Sequence, residues 1–417
     1  MKFEFAQHFL AHQKAHESNH GAADHGRRDA LKKIGAAGAV AAVGGSVLGA
    51  SPAGAHDHYV PEGGPYTDEM FDVEAAKAGA WVPGPYGPDD QRGSFNELTP
   101  ERTARAMRKL DLTKPVKSYQ MGEEMYNGFP AFPSEPPRLH EMYCYVFGYE
   151  AAPGFVEGGG IQSGTTPLGA NELTGHEERF AENFTFQIAT QIDGLNHIGI
   201  GTTYYNGFQG PDIAQPLGTS ALGNEHMGPV VTRGVILDII GLKVHNGDTD
   251  SYFVHNGKPV LNGDYRITVH DIEWALNRQH IWQGIGPGDV PILNTGWTHV
   301  KDDPGLYLSQ EPGIYLAEAR YFADRKVALV AGDTWGLETL NPDVTGTGAF
   351  VCHQELITKN GIRIGESFVC DAAVADHAYE GVLVATPENV PGATCGSSAP
   401  VFLAQPGQTP HLHNGWS

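Results

Sequence analysis

Short runs of apolar residues recur along the second half of the chain. Runs of four to about ten such residues, rich in Val, Ile and Leu, are typical of strands that are buried on both faces. The pattern predicts four strands of this kind: Val230–Ile240, Val290–Leu293, Val327–Val330 and Tyr379–Ala385. A sheet made of such strands requires cover on both faces.

Helical segments are predicted between and before these runs. Thr99 is a favourable N-cap and Pro100 suits the first helical position, so a helix is expected from there to about Leu110. Three further helices are predicted at Val269–Asn277, Ile314–Phe322 and Cys352–Lys359. The sequence shows no internal repeat and no second domain boundary. Strands interspersed with helices therefore predict an α/β fold with a mixed sheet.

The N-terminal segment has the order of an export signal. Arg27 and Arg28 precede a mildly apolar run at Ile34–Leu48, and small residues follow it up to Ala55. This order resembles a twin-arginine (Tat) signal peptide spanning residues 1–55. It predicts delivery to the Tat export machinery and a periplasmic or secreted location. The alternative is a cytoplasmic protein with a basic tail.

The remainder divides into a short wrap and one large domain. Residues 56–92 are rich in Pro, Gly, Tyr and Asp, which predicts an extended wrap on the surface, and residues 93–417 are predicted to form one large domain. No apolar stretch after the signal is long enough to span a bilayer. Cys144, Cys352, Cys370 and Cys395 permit disulfides in an oxidising compartment. Free thiols and a Cys370–Cys395 bridge both remain open.

Charge and motifs exclude several classes of function. The chain carries 27 Lys+Arg against 49 Asp+Glu, a formal net charge of -22, which argues against a nucleic acid as partner. Its one His-Glu-x-x-His match, at residues 16–20, lies inside the predicted signal peptide, and the chain contains no G-x-S-x-G elbow and no P-loop.

Two clusters of oxygen and imidazole donors remain, one at 187–199 and one at 332–366. Their members are Gln187, Gln191, Asp193 and His197 in the first cluster, and Asp333, Glu338, His353 and Glu366 in the second. Donors of these types from two distant parts of a chain can close one metal site.

In this order, the clusters resemble the cyclase family, which includes bacterial kynurenine formamidases and isatin hydrolases. Matching segments run through most of the chain that follows the signal. They lie at 86–101, 205–207, 229–238, 288–289, 295–297, 332–335 and 392–394. The resemblance implies a β/α fold around a mixed, barrel-like sheet, with a single catalytic domain and assembly as a homodimer or homotetramer.

The family's metal motif is His-x-x-x-His-x-Asp-x-x-x-His, completed by a His and a Glu further along. Its positions here are Gln187, Gln191, Asp193, His197, His353 and Glu366. The resemblance implies Asp193, His353 and Glu366 as metal ligands and His197 as a general acid/base. Two motif histidines are glutamines, and a glutamine carbonyl is a neutral, weaker ligand than imidazole.

The glutamines change the expected metal. Gln187 and Gln191 make the site richer in oxygen, and oxygen ligands favour manganese or magnesium over zinc. We predict one divalent ion, with Mn(II) preferred over Zn(II).

These residues predict a metal-dependent hydrolase. The expected substrate is a small, cyclic or aromatic molecule with an amide, lactam, lactone or N-formyl bond, which metal-activated water attacks with help from His197. Six further residues are candidates for orienting ligands or contacting substrate: Asp333, Glu338, Trp297, Trp335, Tyr204 and Tyr205.

Two other functions remain open. A bound ion could stabilise an enolate in a cyclase or dehydratase. Alternatively, the loss of two histidines at Gln187 and Gln191 could have left a catalytically inactive periplasmic protein that binds small molecules.

Overall fold

Nine strands form one curled, mixed sheet in the computed structural model, which describes residues 66–407. In chain order, the strands of the protein are β1 (Lys117–Gln120), β2 (Met142–Phe147), β3 (Ile161–Ser163), β4 (Gly175–Phe180), β5 (Gln191–Asp193), β6 (Ala214–Gln215), β7 (Gly218–Thr219), β8 (Val230–Asp238), β9 (Tyr252–His255), β10 (Lys258–Leu261), β11 (Val290–Asn294), β12 (Leu329–Gly332), β13 (Arg363–Glu366), β14 (Glu380–Ala385), β15 (Cys395–Ser397) and β16 (Val401–Ala404). The large sheet has the order β1-β16-β14-β8-β11-β12-β13-β5-β15.

The centre of this sheet is parallel and its flanks are antiparallel. Strands β8, β11, β12 and β13 run parallel to their neighbours in that group, whereas β14 and β5 pair antiparallel at either side. Three smaller sheets lie outside it: β9 with β10, β6 with β7, and β2 with β3 and β4. The predicted α/β fold with a mixed, barrel-like sheet is therefore confirmed.

Short helices follow or precede the strands. They are α1 (Val73–Lys77), α2 (Pro100–Met107), α3 (Gly210–Ile213), α4 (Ile239–Asn246), α5 (Val269–Arg278), α6 (Pro304–Ser309), α7 (Leu316–Asp324), α8 (Pro342–Thr345), α9 (Val351–His353) and α10 (Asp371–Ala375). Single turns of 3-10 helix lie at Gly93–Glu97, Tyr205–Gly207, Asn224–His226 and Trp297–Val300, and a π-helix lies at Gln354–Lys359. The described residues all fall in one compact unit, Pro61–Ser417.

The four predicted strands are present; two of them differ from the predicted bounds by one residue and the other two by two residues. The run from Val230 leaves the sheet at Asp238, because that side chain caps the next helix by accepting a hydrogen bond from the backbone N–H of Gly241 at 3.0 Å. The last two residues of the predicted strand are therefore the first turn of α4. The predicted strand Val327–Val330 instead occupies Leu329–Gly332.

Helix starts follow their capping residues. Thr99 caps α2 as predicted, with its side chain accepting from the backbone N–H of Arg102 at 3.3 Å. Helix α7 begins at Leu316 rather than at Ile314, because the carboxylate of Glu318 accepts a hydrogen bond from the backbone N–H of Tyr315 at 3.1 Å. The predicted helix Cys352–Lys359 is α9 continued by the π-helix.

The described part of the predicted N-terminal wrap is not extended throughout. Helix α1 interrupts it, capped by Asp72, whose side chain accepts from the backbone N–H of Ala75 at 3.0 Å. Asp68 then attaches the segment to the domain through an ion pair with Arg266. The predicted signal peptide, residues 1–55, lies outside the described residues.

Two further expectations concern membranes and thiols. No helix in the part of the chain that is described is long and apolar enough to cross a bilayer. All four cysteines are free thiols, exposed at Cys144 and buried at Cys352, Cys370 and Cys395.

Candidate metal centre

Three predicted ligands meet beside two neighbouring strands of the sheet. Asp193 ends β5, Glu366 ends β13, and His353 ends α9. The Nε2 atom of His353 lies 3.8 Å from Oδ2 of Asp193 and 3.5 Å from Oε1 of Glu366. One ligand atom from each residue falls within 4.8 Å of the others, and all three side chains are buried.

Strand pairing places the oxygen donors on one face. Strands β5 and β13 are antiparallel neighbours in which Gln191 faces Glu366 directly. Asp193 follows Gln191 by two residues, so the two side chains project from the same face of β5. Residues 175 positions apart in the sequence are thus brought together by register alone.

Glu338 orients the imidazole of His353. Its Oε1 atom lies 2.6 Å from Nδ1 of His353, and its carboxylate also accepts from the backbone N–H groups of His353 and Cys352 at 3.0 and 3.1 Å. A carboxylate at Nδ1 keeps the proton on that nitrogen and leaves Nε2 as the ligand atom. Phe350, in the left-handed region at φ 52°, turns the chain into α9 just before this residue.

The buried charges make the site favourable for a cation. Burial and the neighbouring Asp193 raise the pKa of Glu366 to about 7, while the positive charges of His353 and Arg138 oppose that rise. Burial alone would lower the pKa of His353, but its hydrogen bonds to Glu338 and Glu366 raise it to about 10. Two carboxylates at close range repel each other, and a bound cation relieves that repulsion.

The two glutamines connect the carboxylates to His197. Gln191 donates through Nε2 to Oε2 of Glu366 at 2.6 Å and to Oε1 of Gln187 at 2.8 Å. Gln187 in turn places its Nε2 3.4 Å from Oδ1 of Asp193 and 3.2 Å from Nδ1 of His197. The carbonyl of Gln187 is therefore engaged within the protein, and the carbonyl of Gln191 is not.

Two of the buried oxygens that accept no hydrogen bond in the described chain belong to this cluster, and both suit a metal. They are Oδ2 of Asp193 and Oε1 of Gln191. Leaving a buried oxygen without a hydrogen bond is costly, so such atoms require an explanation. With Nε2 of His353 and Glu366, they form a mixed oxygen and nitrogen donor set that fits a divalent ion such as Mn(II). Ligation by Gln187 and Gln191 stays a prediction.

The other predicted residues lie at different depths. The side chain of Trp335 lines a small cavity beside Glu366, whereas Trp297 is fully buried and donates to the carbonyl oxygen of Tyr307 at 3.3 Å. Tyr205 is also buried and donates to Asp90 at 2.9 Å, which holds the N-terminal segment.

Asp333 and Tyr204 also lie apart from the three candidate ligands. The carboxylate of Asp333 accepts from the backbone N–H groups of Thr295 and Gly296 at 2.9 and 2.7 Å, so it holds the turn after β11. The ring of Tyr204 is half-buried and packs against Gly199 and Gly210.

The cavity includes residues that the sequence patterns did not single out. It has a volume of about 20 Å³, enough for roughly one water molecule. Its walls include Phe129, Phe132 and Tyr307, together with Arg138. Glu311 lies close by, and its carboxylate accepts hydrogen bonds from the backbone N–H groups of Trp335 and Gly336. Burial is the main cause that raises the pKa of Glu311 well above the usual range, and the negative charge of Glu366 adds to it. No sequence motif contains these residues, so the spacing of residues along the chain did not predict their place in the site.

Replacing Glu338 by glutamine is expected to weaken metal binding by roughly 10- to 100-fold, because a neutral amide no longer holds His353 with a charged acceptor. Competition titration of Mn(II) against a chelating dye at fixed pH measures the effect. Glu318→Gln is the matched control, since Glu318 is a buried carboxylate that caps α7 away from the candidate ligands. Equal affinity in Glu338→Gln and the wild type would show that this carboxylate does not support the centre.

Comparison with known proteins agrees with the fold. The sequence model of the family described as Putative cyclase matches residues 110–339, more than half of the chain. A solved structure described as a novel cyclase is 26% identical, with a TM-score of 0.60 over 80% of this chain and 99% of that one.

Solved isatin hydrolases are more distant. One bound to the product analogue thioisatinate is 13% identical, with a TM-score of 0.47 over 74% of this chain and 100% of that one. Isatin hydrolase A from Ralstonia solanacearum is 14% identical, with a TM-score of 0.46 over 70% and 92%. No curated protein matches the sequence.

Proposed function

The chain belongs to the cyclase family, and on this premise we propose that it is a metal-dependent hydrolase of small amides, lactams, lactones or N-formyl compounds. The observation that carries the proposal is the buried meeting of Asp193, His353 and Glu366, with an unpartnered oxygen on Asp193. A divalent cation held there supplies Lewis acidity toward a carbonyl and acidifies a water molecule.

His197 is the proposed acid/base. Desolvation of its ring is the largest influence on its pKa and lowers it, which favours neutral imidazole near pH 7. Because Gln187 donates to Nδ1, neutral His197 carries its proton on Nε2, the state that protonates a leaving nitrogen or oxygen. An amide has both a donor and an acceptor, so a rotated Gln187 side chain would accept a hydrogen bond from Nδ1–H of His197. Nε2 would then carry no proton and could take one from water.

Aromatic side chains support a planar substrate. Phe132 and Trp335 meet at a ring-centroid distance of 5.4 Å beside Glu366, and Phe129 lines the same cavity. Such rings provide apolar contact for a flat group next to the scissile bond.

Elemental analysis followed by a substrate panel tests the proposal. The full chain is incubated with Mn(II), Zn(II) and Mg(II), freed of unbound ions, and analysed for metal. We expect one tightly held Mn(II) or Zn(II) ion per chain. We also expect N-formyl amides, isatin-like lactams or lactones to be hydrolysed in a reaction that a chelator stops and Mn(II) restores. A chain that retains no metal after these incubations would overturn the hydrolase and favour a small-molecule binding protein.

Export and assembly are proposals of the sequence alone. Export by the Tat route, a periplasmic or secreted location and a homodimer or homotetramer are consistent with the sequence of residues 1–55 and with family resemblance.

A further inference from the structure

The cavity beside the candidate metal centre is lined by one positively charged side chain among the described residues. Among its lining residues in the described chain, Arg138 is the one cation, and Gln191 and Glu366 line the same cavity. The chain as a whole is strongly acidic, with a net charge of -22. An anion approaching this surface therefore depends on a local cation for attraction.

The guanidinium of Arg138 is held in place without an acidic partner. Its carbon lies 5.4 Å from the centre of the Phe132 ring. NH1 donates to the carbonyl oxygen of Gln187 at 3.2 Å, and across residues 66–407 no carboxylate forms an ion pair with this side chain. Two edges of the planar fork, Nε and NH2, are left without a protein acceptor in the same residues. A fork of this kind matches the two oxygens of a carboxylate.

We propose that Arg138 binds a carboxylate carried by the substrate, so that the enzyme prefers aromatic substrates with an anionic group near the scissile carbonyl. The inference rests on the proposed hydrolase function and names its substrate class. Phe132 and Trp335 contact the ring of such a substrate, and Arg138 selects its charge.

The small size of the cavity adds a consequence. A volume of about 20 Å³ does not admit an aromatic ring. Residues 129–132 and Arg138 line the cavity, and the segment 129–138 contains neither helix nor strand. Substrate entry therefore requires this segment, with Arg138 at its end, to move outward.

Two pairs of probes test the proposal on the Mn(II)-loaded full chain. Hydrolysis is compared for 2-formamidobenzoate, which is anionic, and formanilide, its neutral counterpart. Binding is compared by calorimetry for benzoate and benzamide. Arg138→Met is expected to lower kcat/KM for 2-formamidobenzoate and the affinity for benzoate by roughly 10- to 100-fold, the range for losing a charged hydrogen-bonded pair. The two neutral probes should lose less, so that the ratio of anionic to neutral probe falls by about that factor.

Controls separate charge recognition from structure. Arg138→Lys keeps the charge without the fork and should retain part of the preference. Arg105→Met removes a half-exposed arginine on α2 and should behave as the wild type. Equal preference of the wild type for anionic and neutral probes, or equal losses for both in Arg138→Met, would overturn the proposal. If neither formamide is hydrolysed, formamides are excluded as substrates, and the binding of benzoate against benzamide alone decides the role of Arg138.

Discussion

Replacing His197 by alanine is expected to lower kcat by roughly 10²- to 10⁴-fold, the range for losing a positioned acid/base, while metal content stays unchanged. The imidazole contacts the Gln187 amide through Nδ1 and is half-buried, and its Nε2 atom has no hydrogen-bond partner among the described residues. Removing it leaves Asp193, His353 and Glu366 in place, so binding of metal should persist. Steady-state kinetics on the best substrate of the panel, with elemental analysis of the same sample, measures both quantities.

A second variant and a rescue experiment make this result specific. His197→Gln keeps a hydrogen-bonding group of similar reach but cannot titrate, so it should be as inactive as alanine. Added imidazole should restore part of the activity of His197→Ala, because the free base can enter the space of the missing ring. It should leave the activity of the wild type unchanged. Full activity in either variant would remove His197 from proton transfer.

Replacing Asp193 by asparagine is expected to abolish tight metal binding and, with it, turnover. The loss should exceed the roughly 10- to 100-fold typical of a residue that only orients a ligand. Oδ2 of Asp193 is fully buried and has no protein partner in the described chain, so its negative charge is the main feature that the variant removes. Metal content after dialysis and turnover on the substrate panel measure the outcome.

Thermal unfolding measures the effect of Asp193→Asn on metal binding independently of turnover. A ligand that binds only the folded state raises Tm, so Mn(II) should stabilise the wild type and leave Asp193→Asn unchanged. Without metal, the variant should unfold at a temperature close to that of the wild type, because it loses the repulsion from Glu366 together with the attraction to His353.

Asp238→Asn is the matched control for this experiment. Asp238 is a buried aspartate whose role as the cap of α4 an asparagine can take over. It should keep its metal and its Mn(II)-dependent rise in Tm. Retention of metal by Asp193→Asn at wild-type affinity would contradict the proposed ligand set.

Prediction from sequence succeeded where local chemistry dominates. The strand at Val290 and the helix that Thr99 caps have the expected type, because apolar runs and capping side chains act over a few residues. The ends of other elements were misplaced for a related reason. Asp238 ends its strand by capping the next helix, and hydropathy alone does not register a hydrogen bond to Gly241.

For the candidate ligands too, the sequence predicted the residue types but not their arrangement in space. Asp193, His353 and Glu366 could be identified from ordered motifs, because metal chemistry restricts the residue types and the family order restricts their positions. Their convergence depends on tertiary structure: antiparallel pairing sets Gln191 opposite Glu366, and α9 then places His353 against both carboxylates.

The sequence by itself determined the α/β class, the approximate positions of four strands and four helices, the acidic character of the chain and the residue types of the metal site. Only the tertiary structure decided which side chains share that site. In that structure, Trp297 is buried in the core, whereas Trp335 lines the cavity. Arg138 and Glu311 lie beside the candidate metal centre, although no sequence motif includes them. The physical reason is that the direction of a side chain depends on strand register and on packing between distant segments, and neither is encoded in local spacing.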